Sequence, residues 1–170
     1  MPRNSYDRGP LIVFWETTKA CELKCIHCRA SAIESRSPEE LSTDEAKKMF
    51  VELKGFERPP VIIMTGGDPM IRDDIYELIQ SAASMGFPVA ISPAVSDKLN
   101  SDSLANLKRS GAKFMSISLD GISATHEKIR GTYGIYQKTL DAITEGIKSG
   151  INVQVNTAVM KINFMELPTV

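Results

Sequence analysis

The chain has 170 residues, of which 42% are hydrophobic, and a formal net charge of −1. Because this charge is close to zero, the composition gives no electrostatic reason to expect binding to nucleic acid or to an anionic membrane. No apolar run approaches the roughly 20 residues of a membrane-spanning helix, and residues 1–10 hold no apolar signal-peptide core. We therefore expect one soluble domain in a reducing, cytoplasmic location.

The first predicted strand, residues 11–15, leads into a short stretch that holds all three cysteines of the chain, Cys21, Cys25 and Cys28. Their spacing is C-x₃-C-x₂-C. Three thiols this close together can converge on one centre, and they cannot all pair as disulfides because three is odd. Cysteine thiolates are the usual ligands of a four-iron, four-sulfur cluster. Three cysteines would leave one iron of such a cluster open to a small molecule.

Two other interpretations of these thiols stay open. Structural zinc favours ligand sets such as Cys₃His, and His27 is at hand. However, His27 is the immediate neighbour of Cys28 and lies two positions from Cys25, which makes a tetrahedron with both awkward to close. The remaining alternative is three unligated thiols.

Helices and strands alternate along the rest of the chain. Ser42 and Glu45 form a capping box that predicts a helix start, and Gly55 predicts its end. Further strands are predicted at residues 61–64, 89–92, 114–119 and 151–159. Apolar residues at helical spacing predict three helices between these strands. The first contains Ile71 to Ala82, the second contains Leu104 and Leu107, and the third contains Leu140, Ile143 and Ile147. A longer polar connection precedes the third helix.

Glycines stand between helix and strand at Gly55, Gly86, Gly111 and Gly150. We expect them to be left-handed, because the residue after a helix often takes that conformation. The alternation predicts an α/β fold with a parallel sheet covered by helices. Since crossovers of one hand let such a sheet curl, we expect a partial parallel (β/α) barrel, TIM-like but incomplete, of about five β/α units.

Ligand groups of parallel β/α folds gather at the carboxyl ends of the strands. This rule places on one rim the cysteine loop, Gly66-Gly67-Asp68-Pro69, Ser92, Asp120 and Asn156. The Gly66-Gly67 pair would let backbone approach a ligand closely, although glycine pairs also mark plain turns. His126, in the polar connection, has no motif around it and is expected at the surface.

The cysteine motif resembles the signature of the radical S-adenosylmethionine (radical SAM) family, C-x₃-C-x-φ-C with φ usually aromatic; here His27 stands at φ. The flanking sequences, from Trp15 to Ala20 and from Arg29 to Ala32, are similar to the branch with haem-pathway and SPASM-type peptide-maturing members. The resemblance covers nearly the whole chain and implies a radical SAM core domain over residues 1–170. Because barrels of this family have six β/α units and this branch often adds a cysteine-rich domain, we expect a C-terminally truncated core or a minimal relative.

The resemblance also implies cofactors and a reaction. Cys21, Cys25 and Cys28 would hold three irons of a [4Fe-4S] cluster, and the fourth iron would bind S-adenosyl-L-methionine. An electron from an external donor would cleave this cofactor to methionine and a 5′-deoxyadenosyl radical, which abstracts hydrogen from a tetrapyrrole or a peptide. The alternative from another class is a non-catalytic metal-binding or electron-relay module.

The implied cofactor contacts, by similarity to the family, are Gly66, Gly67, Asp68, Pro69, Ser92, Ser118, Asp120, Arg130 and Asn156. Asp68 stands where the family has glutamate, so the charge is kept with one methylene less. Arg130 resembles the arginine that meets the methionine carboxylate, a suitable bidentate partner. A solvated surface arginine is the alternative for Arg130, as a plain turn is for Asp120-Gly121.

Overall fold

The computed structural model describes residues 9–170. Residues 1–8, most of the segment predicted to hold no signal-peptide core, lie outside the described residues. The helices and strands are β1 (Ile12–Thr18), α1 (Thr43–Lys54), β2 (Val61–Gly66), α2 (Ile75–Ser84), β3 (Val89–Ile91), α3 (Ser101–Ser110), β4 (Phe114–Ser118), α4 (Ala124–Arg130), α5 (Ile135–Lys148) and β5 (Asn152–Asn156). Short 3₁₀ turns occupy Pro69–Ile71 and Phe164–Glu166.

The five strands are all parallel and lie in the order β1-β2-β3-β4-β5. Consecutive strands are neighbours, and a helical crossover joins each to the next, so the sheet grows in one direction as the wall of a barrel does. Within residues 9–170, β1 and β5 do not pair with each other, and the wall is open. The predicted partial parallel barrel is confirmed. The longest described helix, α5, has 14 residues, and no helix in the described part of the chain has the length and apolarity to cross a membrane.

The core lies between the sheet and its helices. Alternate strand side chains face it: Ile62 and Met64 of β2 and Met115 and Ile117 of β4 are fully buried. Burial of each such side chain contributes about 1.5–3 kcal/mol. Residues of opposite parity lie on the other face, where Ser116 and Ser118 of β4 are only half-buried. That second face, at the carboxyl ends of the strands, is where a site can form.

The predicted capping box starts α1: the Ser42 hydroxyl accepts the Glu45 N–H, and the Glu45 carboxylate accepts the Ser42 N–H. The glycine prediction is confirmed at Gly86, Gly111 and Gly150, which have φ of 93°, 104° and 75°. It is wrong at Gly55, which has φ −67° and donates its N–H to Glu52 and Leu53 carbonyls in a right-handed end.

The polar connection after β4 contains a helix that the sequence did not predict. This helix, α4, has seven residues, and only His126 and Ile129 in it are buried. Two buried side chains are too few to produce a recognisable apolar period. The predicted surface position of His126 is wrong: the side chain is completely buried, and its ring lies 6.0 Å, edge to face, from that of Tyr136.

Candidate active site

A cavity of about 260 Å³ opens at the carboxyl ends of the strands. All three cysteines line it. So do six of the nine predicted cofactor contacts, namely Gly66, Gly67, Ser92, Ser118, Arg130 and Asn156. The other three, Asp68, Pro69 and Asp120, do not line it, and their side chains are buried in the protein.

The thiols face this cavity from different depths. Cys21 and Cys25 are half-buried and Cys28 is exposed. Cys21 Sγ accepts the Leu23 N–H at 3.4 Å, Cys28 Sγ accepts the Ala32 N–H at 3.4 Å, and Arg130 Nη1 lies 3.7 Å from Cys25 Sγ. Burial raises the pKa of Cys21 to about 11, so this thiol keeps its proton until a metal displaces it.

The donor set fits an iron–sulfur cluster. Three thiols share one cavity with a guanidinium, which suits the negative charge of a thiolate-ligated cluster. In the described part of the chain, no three His, Cys, Asp or Glu side chains are grouped so that they could hold a single metal ion as they stand. A cluster differs from a single ion in this respect, because each thiolate binds a different iron.

The Gly66-Gly67 turn supports the start of the cysteine loop. Gly67 N–H donates to Thr18 O at 2.8 Å, and Asp68 N–H donates to Ala20 O at 2.7 Å. A β-carbon on Gly67 would stand 2.3 Å from Ala20 O, and one on Gly66 would stand 2.2 Å from Thr18 O. The close approach that requires glycine here is therefore made by the protein's own backbone, although both residues also line the cavity.

Asp68 connects two loops and does not face the cavity. Its Oδ1 accepts N–H groups of Met70 and Ala94 at 3.0 and 3.3 Å, and its Oδ2 accepts the Ser96 hydroxyl at 2.7 Å. Burial raises the pKa of this carboxyl. Pro69, next to it, is buried at the start of the 3₁₀ turn. The carboxyl thus fixes the loop after β2 to the loop after β3.

Arg130 reaches the cavity from α4, with Asp120 behind it. Arg130 Nη2 lies 2.6 Å from Asp120 Oδ2, and His27 Nε2 lies 3.6 Å from the same oxygen. The Arg130 side chain is only 14% exposed, so the alternative of a solvated surface arginine is wrong. Asp120 is completely buried, and the structure places its carboxylate against Arg130.

Helix α4 is a second element that holds the cysteine loop. Ile26 N–H donates to Ile129 O at 2.9 Å. Gly131, with φ +67°, lies where a β-carbon would stand 2.3 Å from Lys24 O. The sequence contained one signal for this helix, since a glycine directly after Arg130 is typical of a helix end.

Glu40 holds the residues directly before the cysteine loop, and the sequence did not predict this role. Its carboxylate accepts the Thr18 hydroxyl at 2.8 Å, the Lys19 N–H at 3.1 Å and Arg36 Nε at 2.8 Å. Burial alone would raise its pKa, but these hydrogen bonds outweigh burial and lower the pKa to about 2. No short motif marks Glu40 in the sequence, because its partners are distributed over 20 positions.

Comparison with known proteins identifies the family. The profile of the Radical SAM superfamily matches residues 15–168. The chain is 38% identical over 169 residues to the AdoMet-dependent heme synthase of Oleidesulfovibrio alaskensis, covering 96% of this chain and 42% of that protein. It is 31% identical over 176 residues to the mycofactocin maturase MftC of Mycobacterium tuberculosis, covering 95% and 42%. The chain thus spans less than half the length of these relatives, whose names match the predicted haem-pathway and peptide-maturing branch.

A solved structure agrees in fold. Streptococcus suis SuiB bound to S-adenosylmethionine superposes with a TM-score of 0.78 at 16% identity, over 94% of this chain and 36% of SuiB. Relatives in this superfamily use a [4Fe-4S] cluster and S-adenosylmethionine. Because the superfamily profile matches residues 15–168 and a relative with 38% identity aligns with 96% of the chain, this chain belongs to the radical SAM superfamily.

Proposed function

We propose that residues 1–170 form the core domain of a radical SAM enzyme that binds a [4Fe-4S] cluster and S-adenosylmethionine in the cavity. One observation carries the proposal: the three cysteines and six predicted cofactor contacts line the same cavity at the strand ends. When bound, the cluster supplies the electron that cleaves S-adenosylmethionine to methionine and the 5′-deoxyadenosyl radical, which takes hydrogen from a substrate. We also propose a cytoplasmic location, where thiols are kept reduced, and an external donor that supplies single electrons to the cluster.

The chain's own residues take distinct roles. Cys21, Cys25 and Cys28 are the cluster ligands. A protonated amino group of the cofactor only donates hydrogen bonds, so the carbonyl oxygens of the Gly66-Gly67 turn would accept from it. The guanidinium of Arg130 is the partner for the methionine carboxylate.

The remaining cavity residues offer neutral hydrogen-bonding groups. Ser92 and Ser118 carry hydroxyls, and Asn156 carries an amide that both donates and accepts. Groups of this kind suit the ribose and adenine of the cofactor, which are uncharged. Asp68 and Asp120 do not line the cavity but support the residues that do. Asp68 fixes the loop after β2 to the loop after β3, and Asp120 contacts Arg130.

We propose a tetrapyrrole as the substrate. Support comes from relatives named AdoMet-dependent heme synthase, at 38% identity, and pre-heme d1 synthase of Dinoroseobacter shibae, at 30% identity over 169 residues. A peptide is the second candidate, because MftC is named a maturase and aligns at 31% identity. Hydrogen abstraction assays with an iron tetrapyrrole and with a precursor peptide, each followed by mass spectrometry, separate the two.

Cluster binding is tested first. After anaerobic reconstitution with iron and sulfide, we expect about four irons per chain, since one cubane carries four. Cys25→Ala should abolish this uptake, while Asp97→Asn, far from the thiols in the chain and exposed, should keep it. Stoichiometric zinc in anaerobically purified protein that takes up no iron would refute the cluster and support the zinc alternative.

Catalysis is tested separately, because a passive electron relay would also bind iron. With a strong reductant, the loaded protein should convert S-adenosylmethionine to 5′-deoxyadenosine, measured by chromatography. A relay module would hold the same iron and give none of this product. The measurement therefore distinguishes the enzyme from the non-catalytic alternative.

A further inference from the structure

The guanidinium of Arg130 stands between two neighbours at the cavity wall. Nη2 is 2.6 Å from Asp120 Oδ2, and Nη1 is 3.7 Å from Cys25 Sγ. Nε has no hydrogen-bond partner among the described residues. Nε is also buried, so of the five N–H donors that an arginine carries, those on the two terminal nitrogens are the ones that an anion in the cavity can reach. A free arginine samples many rotamers, and the pairing with Asp120 restricts this one.

Asp120 is held within the protein through its Oδ1 and its backbone groups, while Oδ2 makes the ion pair with Arg130 and has no hydrogen-bond partner among the described residues. Oδ1 accepts the Ala158 N–H at 2.8 Å, and the backbone carbonyl accepts Asn163 Nδ2 at 2.8 Å. The backbone N–H donates to His126 Nδ1 at 3.0 Å. The residue is completely buried and does not line the cavity. Its position is therefore set by α4 and by the segment after β5, and a ligand in the cavity does not meet it.

The bond from Asp120 fixes the tautomer of His126. A backbone N–H can only donate, so Nδ1 is the acceptor and the proton of the neutral ring is on Nε2. Nε2 lies 3.2 Å from Thr139 Oγ1, whose own hydroxyl donates to Ile135 O at 2.8 Å. Burial, and then the charge of Arg130, lower the pKa of His126 to about 4. At neutral pH the ring is thus an uncharged bridge from Asp120 to α5.

We propose that Asp120 is a positioning residue, held in place by His126, that orients Arg130 towards the cavity without touching the ligand. This inference rests on the proposed function, in which Arg130 binds the carboxylate of S-adenosylmethionine. Loss of the Asp120 charge leaves the guanidinium free to turn to other acceptors. Binding at the cavity then weakens although every group that meets the ligand is still present.

The test is a double-mutant cycle on anaerobically reconstituted protein, measured by calorimetric titration with S-adenosylmethionine. Asp120→Asn keeps an acceptor oxygen for Ala158 and removes the charge, and it should weaken binding by about tenfold, which corresponds to about 1.4 kcal/mol. Arg130→Gln should weaken binding at least as much. Because Asp120 acts through Arg130, the double variant should bind no more weakly than Arg130→Gln alone.

Several results would overturn the inference. Asp120→Asn binding as tightly as wild type would do so, as would additive losses in the double variant or an iron content that falls with the affinity. Asp97→Asn, which removes a carboxylate from an exposed ion pair with Lys138, is the matched control and should leave affinity unchanged. Wild-type protein that takes up iron but does not bind S-adenosylmethionine would refute the proposed function itself, and the inference with it.

A second pair of variants serves if Asp120→Asn does not fold. His126→Phe leaves the Asp120 carboxylate in place and removes the acceptor for its backbone N–H. It should weaken binding several-fold in the wild-type background and not at all in the Arg130→Gln background. Equal weakening in both backgrounds would show a general structural effect and contradict the positioning role.

Discussion

Replacing Gly67 with alanine adds one methyl group against the backbone of the cysteine loop. Gly67 is not among the glycines with positive φ, so the substitution does not force alanine into a left-handed backbone conformation. The new β-carbon would lie 2.3 Å from Ala20 O and 2.7 Å from Lys19 O, which are main-chain atoms. Since ordinary contacts begin at about 3.4 Å, the loop has to move by about 1 Å.

The displacement of the cysteine loop determines how much free energy of unfolding Gly67→Ala loses. Overpacking of this kind costs about 1–3 kcal/mol. The movement also strains the bonds from Gly67 N–H to Thr18 O and from Asp68 N–H to Ala20 O, each worth about 0.5–1.5 kcal/mol. We expect Gly67→Ala to lower the free energy of unfolding by about 2–4 kcal/mol. Iron content should fall as well, because Ala20 directly precedes Cys21.

Urea unfolding and iron analysis after anaerobic reconstitution measure the two effects. Gly55→Ala is the matched control, since Gly55 also has negative φ and an added β-carbon there would be 3.2 Å from its nearest neighbour, Glu52 O. The control should change stability by less than about 1 kcal/mol. If Gly67→Ala matches the control in both measurements, the turn does not brace the cysteine loop and the reasoning fails.

Three further predictions concern polar groups. The contribution of His126 to the free energy of unfolding should fall by roughly 3 kcal/mol between pH 6.5 and 4, because this side chain, with its pKa lowered to about 4, stays neutral while the unfolded chain takes up a proton. His126→Asn should lack this part of the loss in urea-derived stability, and identical profiles would contradict a buried neutral ring. The Asp68 carboxyl, whose pKa is raised, acts in the opposite sense in both proteins, so their difference isolates His126. Glu40→Gln should cost about 1–3 kcal/mol at pH 7 and reduce the stability loss that wild type shows below pH 4.5, where Glu40, with its pKa lowered to about 2, resists protonation. An unchanged dependence of stability on pH in this range would argue against this role. Ser42→Ala should lower the free energy of unfolding by about 1 kcal/mol, which a lower midpoint of thermal unfolding would reveal. An unchanged midpoint would show that the capping box does not stabilise the protein.

The fold was predictable because most of the strands are short apolar runs and most helices end at or just before a glycine. Helix α4 was not, since its seven residues bury only two side chains. His126 illustrates the general reason. Whether a polar side chain is buried depends on the partners that satisfy it, and those of His126 are the Asp120 backbone and Thr139 on another helix. No local pattern contains that information.

The sequence predicted which residues lie at the carboxyl ends of the strands, but not which of their side chains face the cavity. Gly66, Ser118 and Asn156 line the cavity because each closes a parallel strand. The direction of a side chain at such a position is not encoded in the motif, and Asp68 and Asp120 both face into the protein. Their carboxylates are bound by backbone N–H groups of neighbouring loops, which become partners only after the sheet has formed.

Two backbone hydrogen bonds hold the cysteine loop, from Gly67 N–H to Thr18 O and from Ile26 N–H to Ile129 O, and they form at different times during synthesis of the chain. Gly67 is synthesised about 40 residues after the cysteine loop and Ile129 about 100 residues after it, and both are needed to hold the loop. At the usual rate of about 5–20 residues per second, Ile129 leaves the ribosome roughly 5–20 s after the cysteines. During that interval three neighbouring thiols are unshielded and free to be oxidised or to capture a stray metal ion. Cluster assembly on the finished fold therefore requires that the thiols be kept reduced and empty while the chain is still being made.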